Sequence, residues 1–360
     1  MTETLPRYPA AELRRFASLL LVRAGLPSDR ADCVAEILVE GDLLGHSTHG
    51  LQLLAPYLKD LESGAMAKRG DPHVVADHGA AVTWDGGYLP GPWLVVQAME
   101  LAFARIAVQK VVTVVIRRSH HIACLAAYLR RATDRGLVAT LLCSDPSVAS
   151  VVPHGGIAAR YTPNPLAFGW PTEADPVLVD ISASTTTNGM VGRLNREGRG
   201  RKLGGPWLVD NAGNASDDPA VVNADPPGAI LPLGGIDLGH KGYGLGLFVE
   251  ALTSGLGGRG RAQQPTRWGA NVFLQVIDPD AFGGHADFVH ETQWMADACR
   301  TTRVKPGNAA VRMPGERGLR ARDAQRAHGV ALHPEILPAL EPWAEKLGLD
   351  LPQPMAGSPE

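Results

Sequence analysis

Apolar positions at helical spacing dominate the N-terminal stretch. Leu13, Phe16, Leu19 and Leu20 recur on one face of a helix, and Val34, Ile37 and Leu38 do so again downstream, where Ser28 offers a cap for the second helix. Helix is predicted across residues 9 to 62, broken at Gly45-His46-Ser47-Thr48-His49-Gly50 and resumed through Leu51, Leu54 and Leu58. From about residue 71 the texture changes. Short β-type runs (VVTVVIRR at 111–118, LVATLLCS at 137–144, VLVDISAS at 177–184, NVFLQVIDP at 271–279) alternate with helical patterns at 92–109, 122–135, 242–256, 291–302 and 335–347. Such alternation predicts an α/β protein. The Gly/Pro/Asp-rich stretch 204–240 interrupts it but still carries Trp207, Leu208, Val209, Ile230 and Leu231, so it reads as ordered loop rather than linker. The expected organisation is an N-terminal helical segment over 1–70, an α/β body over 71–350 and a frayed tail over 351–360.

Composition narrows the class. Of the 360 residues, 45% are hydrophobic, which suits a globular protein of one large or two medium domains. A net charge of -3, from 34 basic and 37 acidic residues, supplies no field for nucleic acid or an anionic membrane. The N-terminus lacks the basic start and apolar core of a signal peptide, and no run reaches the roughly 18 uninterrupted apolar residues of a membrane helix. Cys33, Cys124, Cys143 and Cys299 are scattered among apolar neighbours rather than paired, which predicts reduced core thiols and a cytoplasmic setting.

Candidate chemistry clusters around histidine. Imidazole titrates near neutrality, so His49, with the Thr48 hydroxyl beside it, can exchange the proton that accompanies reduction of a carbonyl. Taken alone, that cluster reads better as a polar turn between helices, where short His/Ser runs are common. Arg117-Arg118-Ser119-His120-His121 follows a β-run, and the carboxyl ends of strands are where α/β sheets bind ligands. No carboxylate or third ligand stands at metal-ligand spacing beside either pair, so no metal is expected. Asp180-Ile181-Ser182 ends another β-run, where an acid can accept from a ribose or orient a histidine. Lys241 opens a helix, a natural phosphate position. Met313-Pro314-Gly315-Glu316 reads as a step from β-run to loop. No G-x-G-x-x-G follows an early strand, so a nicotinamide cofactor would be held without the Rossmann fingerprint.

Read together and in this order, the segments resemble the type-2 malate/L-lactate dehydrogenase family, which includes ureidoglycolate dehydrogenase, 2,3-diketo-gulonate reductase, sulfolactate dehydrogenase and the piperideine-carboxylate reductases. The resemblance covers about residues 10 to 348. It rests on Thr48-His49-Gly50, Arg118-Ser119-His120-His121, Pro153-His154-Gly155-Gly156 with Thr162-Pro163-Asn164-Pro165, Asp180-Ile181-Ser182-Ala183-Ser184, Pro232 to Gly235 with Lys241 to Leu245, and Pro314-Gly315-Glu316. It implies an unusual α/β fold that is not a Rossmann domain, a homodimer with a shared site, and NAD or NADP as cofactor. The implied reaction passes a hydride between NAD(P)H and a small 2-oxo acid or cyclic imino acid. Among the residues, it implies His49 as the acid/base group with Thr48 in place of a serine, His121 as a second proton-handling histidine, and cofactor contacts at Asp180, Ile181, Ser182, Lys241, Gly315 and Glu316, with Ser144 near another. Two positions depart from the pattern. Leu53 stands where the family has an arginine that clamps the substrate carboxylate, so either Arg117, Arg118 or Arg160 holds it or the substrate is not a simple 2-oxo acid. Thr162-Pro163 stands where the family has Gly-Thr. A hydrolase or lyase using His49 and His121, and a catalytically inactive binding relative, are the competing readings.

Overall fold

The computed structural model describes residues 5–198 and 200–355. A two-residue strand β1 (Arg7–Tyr8) precedes three helices, α1 (Ala10–Arg23), α2 (Ser28–Leu43) and α3 (Leu54–Ser63). Then come β2 (His73–Asp77), β3 (Ala81–Asp85), α4 (Gly91–Gln109), β4 (Val111–Ser119), α5 (Ala126–Thr133), β5 (Val138–Ser144), β6 (Pro165–Trp170), β7 (Val177–Ser182) and α6 (Asn188–Glu197). After these follow β8 (Leu208–Val209), β9 (Ala215–Ser216), β10 (Ala229–Ile230), α7 (Gly235–Leu238), α8 (His240–Glu250), β11 (Ala270–Ile277), α9 (His285–Arg300), α10 (Glu316–His328), β12 (Val330–Ala331) and α11 (Ile336–Leu347).

The main sheet runs β2-β3-β4-β11-β5-β6-β7. Only β3 and β4 pair in parallel; the other neighbours are antiparallel. The helix–strand alternation of the sequence therefore does not build a parallel sheet, because β5, β6 and β7 follow one another without an intervening helix. The central strands read as unbroken apolar runs because both faces are covered. Val114, Leu141 and Leu274 turn into the main core, while their neighbours Val115, Leu142 and Phe273 turn into a second cluster with Val249 of α8.

The main core joins Leu13, Leu20 and Ile37 of the N-terminal helices to Val114 and Leu274 of the sheet and to Leu340 of α11. Residues 1–70 and 71–350 thus share one core, and the division expected from texture marks a change of element type, not of packing unit. The α4 helix is long and apolar enough by composition to cross a membrane, yet it lies against β4, β11 and α2 as a core helix does.

Several local expectations change. Pro27, not Ser28, precedes the first turn of α2, and the Ser28 side chain makes no cap. The stretch 204–240 is ordered, as expected, but holds a small sheet of order β10-β8-β9 rather than loop alone. Pro314-Gly315-Glu316 leads into a helix, with Gly315 at φ 91° before α10. Cys124 and Cys143 are core thiols, whereas Cys33 and Cys299 are half-buried; all four are unpaired. The tail is held as far as Met355, whose amide donates to the Arg7 carbonyl at 2.8 Å; the remainder of the expected frayed segment, 356–360, lies outside the described residues.

Candidate active site

The pairings that build the sheet also decide where the chemistry gathers. β3, β4, β5 and β7 point the same way, so Asp85, Ser119, Ser144 and Ser182 end their strands on one edge. The turn between α2 and α3 lies against that edge and carries His49.

His49 and His121 stack with ring centroids 6.0 Å apart and planes 24° from parallel. Thr48 Oγ1 lies 2.9 Å from His49 Nδ1. Tyr57 Oη lies 2.9 Å from His121 Nδ1, which also accepts from the Ala123 amide at 3.2 Å. An N–H pointed at Nδ1 places the neutral ring's proton on Nε2. Burial pulls His121 well below the ordinary histidine value, and the neighbouring His49 and His120 push it the same way. Burial also lowers His49, but the Asp180 carboxylate works against it. The two rings therefore differ: His121 is a fixed neutral donor, and His49 has an anion nearby to stabilise its charged form. His120, fully buried, is anchored to Asp60 at 3.0 Å and is not part of the open pair.

A strip of cofactor-type residues runs from this pair along the end of β7. The Asp180 carboxylate accepts from the Ala126 amide at 2.8 Å and from Cys124 Sγ at 3.7 Å. Ile181 is 42% exposed, and Ser182 Oγ donates to the Ser184 carbonyl at 2.9 Å. The chain after β7 is tied to the start of α8 through Leu233, whose amide donates to Ala183 and whose carbonyl accepts from Gly242. A Cβ on Gly242 would stand 2.2 Å from the Leu233 nitrogen, so this close approach needs glycine. It brings Lys241 beside the strand end, exposed and without an ion pair among the described residues. Gly315 packs on β7 from the other direction, where a Cβ would meet that of Leu178 at 2.8 Å. An acceptor, an apolar surface, hydroxyls and a free cation in this order fit the amide, ribose and phosphate of a dinucleotide.

Other predicted residues stand apart. Ser144 is 1% exposed and its hydroxyl is engaged by Thr253 at 2.7 Å and Ser254 at 3.3 Å, so it supports the helical turn after α8. The Glu316 carboxylate pairs with Arg300 at 2.7 Å. Arg117 and Arg118 both grip Asp85, at 3.0 and 2.7 Å, so neither is a free carboxylate anchor. Arg160 is exposed on the rim of a separate cleft of about 760 Å³, whose wall includes Asn188, Asn195, Asn223 and Gly228 but neither histidine.

The expectation that no further metal-type ligand accompanies the histidines fails. His46, Cys124 and Asp180 offer ligand atoms all within 4.8 Å of one another. Burial, followed by the Asp180 charge, holds the Cys124 thiol well above its usual range, so it is protonated and donates to Asp180. A protonated thiol is a poor metal ligand.

Four residues absent from the sequence reading complete the site. Tyr57 orients His121. Trp268 packs 5.0 Å from the His121 ring and 4.9 Å from His120. Asp42 accepts from the Leu51 amide at 2.7 Å and occupies the space of a Gly50 side chain, its carboxyl pushed up by burial to about 7. Arg193 of α6 donates to Ser47 Oγ at 3.1 Å and to the Gln52 side chain. Tyr57 had the helical pattern of α3 as a signal; Trp268 lies in a loop far along the chain, and Arg193 in a short helix that the sequence reading did not recognise.

An imidazole pair beside a carboxylate, bordered by hydroxyls and by a lysine without an ion pair among the described residues, is an arrangement able to move a proton next to an anionic ligand. The chain belongs to the malate/L-lactate dehydrogenase family, whose model matches residues 8–341. It is 31% identical over 346 residues to an L-lactate dehydrogenase of Cupriavidus necator, covering 94% of this chain and 97% of that one. It is 30% identical over 338 residues to a Delta(1)-pyrroline-2-carboxylate/Delta(1)-piperideine-2-carboxylate reductase of Pseudomonas syringae pv. tomato, covering 90% and 92%. Among solved structures, the malate dehydrogenase of Pyrococcus horikoshii superposes with a TM-score of 0.86 at 25% identity, covering 97% of each chain. The protein is accordingly an NAD(P)-dependent dehydrogenase or reductase. The hydrolase, lyase and inactive-relative readings are set aside.

Proposed function

We propose that this enzyme interconverts a small 2-oxo acid or cyclic imino acid with its 2-hydroxy or 2-amino counterpart, and that His49 carries the proton. The stacking of His49 and His121 beside Asp180 carries this reading, because it puts one chargeable and one neutral imidazole over the same spot. Asp180, Ile181, Ser182 and Lys241 would hold the cofactor, outside any doubly wound Rossmann frame; at the Gly315–Glu316 turn any contact would come from the backbone, because the Glu316 carboxylate is paired with Arg300. Bound there in reduced form, the nicotinamide supplies the hydride. His49 gives its proton to the oxygen or nitrogen of the substrate as negative charge develops, with the Thr48 hydroxyl fixing the ring through Nδ1. Nε2–H of His121 donates to the same atom and holds it in line. Trp268 and Tyr57 keep water from the pair and lock the His121 ring. In the reverse direction neutral His49 is the base.

The same reading makes the protein a homodimer and places it in the cytoplasm, where the four unpaired thiols remain reduced. A panel of 2-oxo acids and cyclic imino acids, assayed by nicotinamide absorbance with NADH and with NADPH, tests it. Consumption of reduced cofactor by at least one acid is expected; consumption by none overturns the assignment.

A further inference from the structure

Arg193 is a buried cation without an anion. It is 7% exposed, and no carboxylate lies within ion-pair distance of it among the described residues. Its donors rest on neutral oxygens, Ser47 Oγ at 3.1 Å and the Gln52 amide, while its Nε–H has no partner at all. Burial lowers the guanidinium's pKa, and the carboxylates that oppose this, Glu335, Glu197 and Asp42, act on it without forming an ion pair. Structural arginines of this chain look different: Arg300, Arg322 and Arg117 each hold a carboxylate.

Its position is set by α6. The helix begins at the Thr187 cap, whose side chain accepts from the Met190 amide at 3.2 Å. Gly189 lets the first turn lie close on Thr48, where a Cβ would come within 3.3 Å of the Thr48 Cβ. One turn later Arg193 reaches both ends of the segment that carries His49, through Ser47 and Gln52. Its charge is felt at His49, where it disfavours the protonated ring. The turn itself supplies no cation besides its histidines: Ser47, Thr48, Gly50, Leu51, Gln52 and Leu53 are uncharged.

We propose that Arg193 is the specificity-determining residue that binds the substrate's carboxylate, the guanidinium exchanging the neutral Gln52 oxygen for an anionic one. The guanidinium then gains an ion pair only in the complex. Occupation by an anion would also relieve its effect on His49, favouring the protonated ring when an acid substrate is present. This inference rests on the reaction proposed above and adds the group that selects for an acid.

The test compares wild type, Arg193→Met and Arg193→Lys, using the panel acid that wild type reduces fastest and its methyl ester. It also measures binding of oxamate, an unreactive 2-oxo acid mimic, in the presence of cofactor. Arg193→Met is expected to raise KM for the acid and weaken oxamate about 10- to 100-fold. The ester's KM and the cofactor's Kd should stay near wild type. Arg193→Lys, which keeps the charge and a folded α6, should fall between the two. Equal losses on acid and ester, or an unchanged KM for the acid in both variants, would show that Arg193 merely fastens α6 to the turn and would overturn the proposal. A wild type that reduces no panel member defeats the reaction instead, and oxamate binding then judges Arg193 alone: wild-type binding lost in Arg193→Met upholds it, and no binding or equal binding rejects it.

Discussion

Two adjacent imidazoles rarely share a role, and their surroundings here assign different ones. His121 takes an N–H at Nδ1 and is pressed toward neutrality by burial and by His49; His49 has the Asp180 carboxylate to offset its own burial. Because burial is the larger influence on His49, its pKa lies below 6.5 and the ring is mostly neutral at pH 7. The sign follows for each direction. Oxidation of a hydroxy acid uses neutral His49, so kcat/KM should rise with pH through an inflection below 6.5 and then stay flat. Reduction uses the protonated ring and should weaken as pH rises through the same inflection. His49→Ala should lower kcat by about 10²- to 10⁴-fold and remove that inflection. His121→Ala should lower kcat while keeping it, since its ring does not carry the proton. An inflection that vanishes with His121 and survives loss of His49 would reverse the two roles.

At the scale of elements, α8 shows what the sequence made legible and what it hid. Lys241 was readable as a helix-opening lysine, because glycines and a polar start precede an apolar run. That the helix lies beside the end of β7 was not readable, since it depends on Gly242 meeting Leu233, and so on a loop whose path no periodicity encodes. The principal β-runs and long helices showed themselves through regular burial. α10 did not: its sequence ERGLRARDAQRAH buries only Glu316 and Leu319, so it offers no apolar stripe to detect. α6 escaped for a different reason: it is amphipathic but only ten residues long, and it buries Val191 and an arginine behind a threonine-rich approach. The anchor for the substrate acid was therefore sought at Arg117, Arg118 and Arg160, the cations nearest to motifs, whereas the residue proposed above for that role sits in a helix the sequence reading did not recognise. Lys241→Ala removes a free charge without touching a packed face. It should weaken NADH or NADPH about tenfold and shrink the rise in Tm that the cofactor gives wild type. An unchanged cofactor affinity would detach α8 from the cofactor site.

At the scale of the molecule, the sheet buries its own apolar faces, yet apolar side chains stay uncovered at Phe282, Trp294 and Met295 and, in a longer run, around α7 and α8. Around α7 and α8, Ile236, Leu238, Leu245, Leu247, Phe248 and Leu256 are between 37% and 56% exposed. Single exposed apolar residues are ordinary, but a run of six on consecutive elements is the kind of surface that a soluble protein covers. A second copy is the natural cover, because a self-complementary two-fold contact lets the same apolar residues meet one another. Leu245, Leu247 and Phe248 share a helix with Lys241, so covering them would also stiffen the helix that carries the lysine proposed to meet the cofactor. Light scattering should then give a mass near twice 38.1 kDa for wild type. Phe248→Glu, which puts a charge in the middle of the patch, should shift the mass toward one chain and weaken cofactor binding in the same samples, with the far-ultraviolet circular dichroism of wild type. A Phe248→Glu protein that stays dimeric would place the interface on another face. A wild-type monomer that is fully active at micromolar concentration would remove the second subunit from the site altogether.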